Sequence, residues 1–134
     1  MNKSDMKITV MGLGYIGLPT ACILAEGGFN VEGFDVNQSV IDKINSGISH
    51  IIEPGIEDIL TEAISSQKFC VTSNLSASDI YFICVPTPIK DVNLEPDLTY
   101  VMSAASEISK VIEDESIIIV ESTSPVGTTR KVQE

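Results

Sequence analysis

The spacing of apolar positions changes several times along the chain, and each change marks an element. Lys7 to Met11 is a short, largely apolar run that predicts a strand. Gly12 to Gly17 is a turn running into a helix that lasts to about Glu26, where Gly27 and Gly28 stop it. Asn30 to Asp35 predicts a second strand. Asn37 then caps a helix whose Val40, Ile41, Ile44 and Ile48 share one face, with Gly47 at its end. Pro54 suits the first turn of the next helix, in which Ile56, Ile59, Leu60, Ala63 and Ile64 form a stripe.

Phe69 to Thr72 predicts a third strand, and the unbroken apolar run from Ile80 to Val85 reads as a strand buried on both faces. Three prolines between Pro86 and Pro96 hold the following segment as a loop. Asp97 opens a helix with Leu98, Val101, Met102, Ala105, Ile108 and Ile112 inward, Ser116 to Glu121 predicts a further buried strand, and Thr128 starts a helix. The order β-α-β-α-α-β-β-α-β, with strands apolar throughout, predicts an α/β fold: a parallel sheet covered by helices on both faces. Only Ser73 to Asp79 joins the third and fourth strands, fewer than the dozen or so residues of a usual parallel crossover. A single helical turn is expected there, with a hairpin as the alternative.

The 134 residues suit one domain and are too few for the two that most nicotinamide dehydrogenases need. Because the last element breaks off soon after Thr128, residues 1–134 read as a fragment or truncated product. A net charge of −11 disfavours nucleic acid and anionic membrane surfaces as partners. Cys22, Cys70 and Cys84 are odd in number, lack metal spacing and sit among apolar residues, so they read as core thiols of a cytoplasmic protein. Glycines and Pro19 interrupt the run after Lys7 too often for a signal peptide, and no run has membrane-spanning length.

Gly12-Leu13-Gly14-Tyr15-Ile16-Gly17 is a G-x-G-x-x-G motif between a predicted strand and a predicted helix. In that context Gly12 permits the tight turn, Gly14 lets a pyrophosphate approach the backbone, and Gly17 lets helix pack on strand. The amides around Tyr15 and Ile16 then face the phosphates at a helix N-terminus. Asp35, 23 residues after Gly12, stands where a carboxylate accepts hydrogen bonds from the adenosine ribose. It would repel a 2′-phosphate, and Val36 to Val40 contain no Arg or Lys to bind one. Motif and carboxylate together predict a Rossmann-type doubly wound domain that takes NAD in preference to NADP.

Further stretches make the chain similar to the UDP-glucose/GDP-mannose dehydrogenase family. They are MGLGYIGLPTA (Met11–Ala21), INSGISHIIEPG (Ile44–Gly55), VPTP (Val85–Pro88), PDLTYV (Pro96–Val101) and VESTSPVGTT (Val120–Thr129), and the order VPTP then STSPVG is the specific part. The resemblance implies that Tyr15, Ile16 and Asp35 hold the pyrophosphate and adenosine ribose, and that Thr87 and Thr123 line the rest of the NAD site. It also implies oxidation of a UDP-sugar C6 alcohol to the carboxylate, through a cysteine thiolate adduct and two NAD. The sugar implied is UDP-N-acetylmannosamine. None of Cys22, Cys70 and Cys84 matches the family's catalytic cysteine, which with its lysine, the central helix and most of the sugar site belongs to a later part of the family pattern. Thr123 is implied near the reacting centre. A homodimer is expected for the full-length enzyme.

By their residues alone, Pro86-Thr87-Pro88 and Ser122-Thr123-Ser124 also suit local turn bonding. His50, the single histidine, reads as a surface or capping residue, Glu53 as a helix-entry residue, and Glu113-Asp114-Glu115 as a solvated run rather than a metal site. Two other functions fit the same residues: a stand-alone module that senses NAD(H), and a dehydrogenase for UDP-glucose or a hydroxyacid.

Overall fold

The structure is a computed structural model and describes residues 2–134. A short 3-10 turn, Lys3–Asp5, precedes ten elements: β1 (Lys7–Met11), α1 (Gly17–Glu26), β2 (Asn30–Phe34), α2 (Gln38–Asn45), α3 (Ile56–Ser65), β3 (Phe69–Thr72), β4 (Ile80–Ile83), α4 (Thr99–Ile108), β5 (Ile117–Val120) and α5 (Thr128–Gln133). All strand pairs are parallel, in the order β3-β2-β1-β4-β5. The order reverses between β1 and β4, so the chain's two halves diverge there and leave a crevice at the carboxyl edge.

Helices cover both faces. Val10, Val31, Phe69 and Val71 turn one way and pack with Leu18, Ala21, Ile41, Ile44, Leu60 and Ala63 of α1, α2 and α3. Met11, Tyr81 and Ile83 turn the other way, against Val101, Ala104 and Ile108 of α4, with Val132 of α5 beside them. This is the doubly wound α/β architecture expected from the apolar strands.

The helix ends follow local chemistry. Asn37 caps α2 by accepting the Ser39 N–H at 3.0 Å. Gly47, at φ +80°, ends that helix by letting the Ile48 N–H reach back to the Lys43 carbonyl at 2.9 Å. Ile48 thus lies outside the helix and is exposed, not on its inner face. Pro54 lies in the turn before α3 rather than in its first turn, because Gly55 at φ +82° sets the start at Ile56. In α4 the buried stripe is Val101, Ala104 and Ile108, while Met102 is exposed and Ile112 falls beyond the helix end. Asp97 lies just before this helix and accepts the Thr99 N–H at 3.0 Å.

The segment from Ser73 to Asp79 forms neither the expected helical turn nor a hairpin. β3 and β4 lie on opposite sides of the β2–β1 pair, which rules out a hairpin. Seven extended residues reach about 23 Å, enough to pass two strands spaced about 4.8 Å apart, whereas a helical rise of about 1.5 Å per residue falls short. The segment is anchored as it crosses. Ser76 Oγ donates to Glu32 Oε1 at 3.3 Å, the Ser78 and Thr9 hydroxyls share a buried hydrogen bond of 2.7 Å, and Ser78 N–H donates to the Tyr81 hydroxyl at 2.9 Å.

Two further expectations change. β5 is not buried on both faces: Ile117 is 55% exposed and Ile119 37%, because no helix of the described residues lies over that side of this edge strand. Cys22 and Cys84 are core thiols, but Cys70 is exposed, since no helix of the described residues covers its side of β3, the other edge strand. The outer edge of β3 is covered instead by Asn45. Its side-chain amide donates to the Val71 carbonyl at 2.9 Å and accepts the Val71 N–H at 2.8 Å, as a neighbouring strand would.

Candidate functional site

The parallel order brings the residues that follow each strand to one edge: Gly12 after β1, Asp35 after β2, Cys84 and Thr87 after β4, Glu121 and Thr123 after β5. At the centre is the glycine turn. Gly12 has φ +90°, and a Cβ there would lie 2.8 Å from the Cys84 carbonyl oxygen, so only glycine allows β1 to end this close to β4. At Gly17 a Cβ would lie 1.7 Å from the Gly12 carbonyl oxygen, whereas a Cβ at Gly14 would meet nothing within 4 Å. Gly12 and Gly17 therefore close the turn, and Gly14 faces open space.

The start of α1 offers unpaired donors into that space. The Gly12 N–H is held by the Phe34 carbonyl at 3.3 Å, and the next N–H of this segment to find a backbone carbonyl is that of Leu18, which donates to the Gly14 carbonyl at 3.1 Å. The N–H groups of Tyr15, Ile16 and Gly17 have no intramolecular acceptor among the described residues, and no side chain caps the helix. Unpaired amides at a helix N-terminus form an anion site. Tyr15 and Ile16 extend their side chains outward and are each more than half exposed.

Asp35 stands on the β2 side of the turn. Its N–H donates to the Thr72 carbonyl at 3.2 Å, and its Oδ1 accepts the Asn37 N–H at 2.8 Å. Its second oxygen has no protein donor among the described residues, which leaves it free for a ligand hydroxyl pair. Beside it opens a cleft of about 630 Å³, walled by Phe34, Val36, Val85, Pro86 and Tyr100. Val36 and Tyr100 were not singled out by sequence reasoning, although Tyr100 lies in the PDLTYV run; only the packing of α4 on the sheet brings both to one cleft.

On the β4 side the VPTP and STSP turns are tied together. Thr87 Oγ1 donates to the Thr123 carbonyl at 2.6 Å, and Ser122 Oγ donates to the Val85 carbonyl at 2.8 Å. The Thr87 hydroxyl proton is thus committed to the protein, while the Thr123 side chain is exposed. Glu121, also missed from the sequence, accepts from the Cys84 thiol at 3.2 Å and from the Thr20 hydroxyl at 3.5 Å. Burial, and then the Glu121 carboxylate, push the Cys84 thiol far above its usual range, so it stays protonated. Cys22 is pushed up to about 11 by burial. Burial and the nearby Glu32 carboxylate raise Cys70 as well.

The remaining candidates stay apart from this edge. His50 lies between α2 and α3 with its Nδ1 buried and unpartnered, so it caps nothing. Glu53 offers its backbone carbonyl to the Ile56 N–H at 3.2 Å at the entry to α3. Glu113, Asp114 and Glu115 are exposed. No helix of the described residues is long and apolar enough to cross a membrane.

An anion site at the turn, a free carboxylate on one side and a hydroxyl-lined pair of loops on the other define a dinucleotide-binding domain of the dehydrogenase type. The chain belongs to the UDP-glucose/GDP-mannose dehydrogenase family, whose NAD-binding domain matches residues 6–134, and its cofactor is NAD. It is 45% identical over 130 residues to the UDP-N-acetyl-D-mannosamine dehydrogenase of Pyrococcus horikoshii, covering 95% of this chain and 31% of that protein. It is 44% identical over 127 residues to the enzyme of the same name from Escherichia coli K12, covering 95% of this chain and 30% of that one. The solved structure of the Pyrococcus horikoshii protein matches with a TM-score of 0.89 over 95% of this chain and 31% of its own. A ternary complex of a GDP-mannose dehydrogenase from Pseudomonas aeruginosa matches at 36% identity with a TM-score of 0.88, over 95% of this chain and 30% of its own. The chain thus spans less than a third of the length of these relatives.

Proposed function

We propose that this domain binds NAD along the carboxyl edge of its sheet and presents the nicotinamide to a UDP-sugar, UDP-N-acetylmannosamine by preference, whose C6 alcohol is oxidised to the carboxylate. The observation that carries the reading is the pairing of unpartnered Tyr15, Ile16 and Gly17 amides, after β1 at the strand-order reversal, with the free oxygen of Asp35 at the end of the neighbouring β2. Gly12 and Gly17 shape the turn, Gly14 admits the pyrophosphate, and the Tyr15 and Ile16 amides hold it. Asp35 receives the adenosine ribose hydroxyls, with the adenine between Val36 and Tyr100. Bound NAD supplies the hydride acceptor.

Thr87 and Thr123 line the nicotinamide half. The hydrogen bond between them fits a division of labour, in which Thr87 holds the loop and Thr123 directs its free hydroxyl to the reacting end. The thiolate adduct of the full reaction draws on a cysteine other than the three in this chain: Cys22 and Cys84 are buried, and Cys70 lies on the edge strand β3, away from the β4 and β5 loops. The chain by itself therefore binds cofactor without turning over the sugar. Cytoplasmic residence and a homodimer of the whole enzyme complete the proposal.

The substrate preference rests on the names of the relatives, four of the first five of which are UDP-N-acetyl-D-mannosamine dehydrogenases. The test is NADH production by a whole protein carrying this domain, with UDP-N-acetylmannosamine and UDP-glucose offered in turn. Faster turnover of the amino sugar supports the reading. Faster turnover of UDP-glucose refutes the substrate and leaves the domain's cofactor role standing.

A further inference from the structure

We propose that Glu121 is the counter-charge for the oxidised nicotinamide ring, so that this domain holds NAD more tightly than NADH through a carboxylate at the end of β5; this rests on the cofactor reading above. Three observations lead to it. First, Glu121 is placed by more than its own strand. Its carboxylate takes the Cys84 thiol at 3.2 Å from β4 and the Thr20 hydroxyl at 3.5 Å from α1, and its N–H donates to the Ile83 carbonyl at 3.0 Å.

Second, these partners tie it to the cofactor turn. The Cys84 Cβ is 3.1 Å from where a Cβ of Gly17 would be, and Thr20 is one helical turn beyond Ile16, to whose carbonyl its N–H donates at 3.1 Å. A dinucleotide with its ribose at Asp35 and its pyrophosphate at the turn must extend its other half toward β4 and β5, which is the side Glu121 occupies. Third, Glu121 has no cation of its own. The ion pairs among the described residues are Lys7–Glu32 and Lys110–Glu107.

The ring carries a positive charge in NAD and none in NADH, so a nearby carboxylate attracts the first and leaves the second almost untouched. At a separation of a few ångströms in a half-solvated site, the difference amounts to roughly three- to tenfold in affinity. Reduction of a bound ring would remove its charge, and with it Glu121's part of the binding, which would favour exchange of NADH for NAD.

The experiment titrates the chain and its Glu121→Gln variant with NAD, NADH and ADP-ribose, which lacks the nicotinamide. The amide keeps the acceptor oxygen for Thr20 and Cys84 but not the charge. The expected result is a three- to tenfold loss of NAD affinity in the variant, with NADH and ADP-ribose within about twofold of the parent. Equal changes for NAD and NADH, or none, overturn the proposal, as does a parallel loss of ADP-ribose, which marks Glu121 as a strut for the turn. A parent chain that binds none of the three overturns the cofactor reading itself. Should the variant not fold, raising the salt from about 0.05 to about 0.5 M must lower the parent's NAD-to-NADH affinity ratio, and an unchanged ratio overturns the proposal.

Discussion

Gly17 approaches Gly12 so closely that a single methyl group at position 17 would lie 1.7 Å from the Gly12 carbonyl oxygen. Two glycines five residues apart thus lock the end of β1 to the start of α1, and the amides between them are left facing outward. Gly17→Ala forces the turn open at a cost on the order of 1–3 kcal/mol. The expected outcome is a lower thermal midpoint together with loss of detectable NAD binding. Gly14→Ala, at a position with open space, should keep the midpoint and lose affinity only. Calorimetry of both variants, by heating and by titration, separates the two effects.

Asn45 replaces a missing neighbour for β3, with one hydrogen bond given to Val71 and one taken from it. Asn45→Ala leaves the Val71 N–H and carbonyl without protein partners and should cost about 1–3 kcal/mol. Urea unfolding should show a lower midpoint with an unchanged slope. Asn45→Asp keeps an acceptor but no donor and should fall between the two.

The hydroxyl of Thr87 holds the backbone of Thr123. Thr87→Ser should keep this bond and bind NAD like the parent, whereas Thr87→Val should weaken NAD by a few-fold, in line with about 0.5–1.5 kcal/mol for one neutral hydrogen bond. ADP-ribose affinity should not change in either variant. A loss of ADP-ribose affinity in Thr87→Val would place Thr87 nearer the adenosine half than its position after β4 implies.

The buried thiols make the fold sensitive to alkali. The Cys22 thiol has an ordinary value of 9.0 and is pushed up to about 11 by burial, and Cys84 is raised further still. Between pH 9 and 11 the unfolded chain releases the Cys22 proton while the folded chain keeps it, so stability falls as pH rises through that window. Cys22→Ala should flatten the fall, seen as a shallower dependence of the urea midpoint on pH. At neutral pH a thiol reagent should modify exposed Cys70 first and reach Cys22 and Cys84 only on unfolding.

How much of this was legible in the sequence depends on the range of the interaction involved. The glycine turn, the Asn37 cap and the stop at Gly47 are local chemistry, and each stands where its residues predict. The position of Asp35 just past β2 was legible because the distance from turn to second-strand end varies little when one helix joins them. Ser73 to Asp79 was misjudged because its path depends on which strands lie between β3 and β4, and no local pattern carries that order. β5 reads Ile-Ile-Ile-Val and looks buried, yet apolar side chains record what a strand can pack against rather than what covers it. Glu121 escaped notice for the same reason: its partners Cys84 and Thr20 are distant in sequence and meet it only at the sheet edge, just as Tyr100 and Val36 come to line one cleft only there.

The proposed NAD site rests on Asp35 together with the glycine-turn amides, and titration of the chain with NAD and NADP beside Asp35→Ala tests that most directly. The expected result is saturable NAD binding, poor NADP binding, and a tenfold or greater loss of NAD affinity in the variant, as the loss of a charged hydrogen-bond acceptor of about 1.5–3 kcal/mol implies. Equal affinity for NAD and NADP, or an Asp35→Ala variant that binds NAD as the parent does, would contradict the assignment.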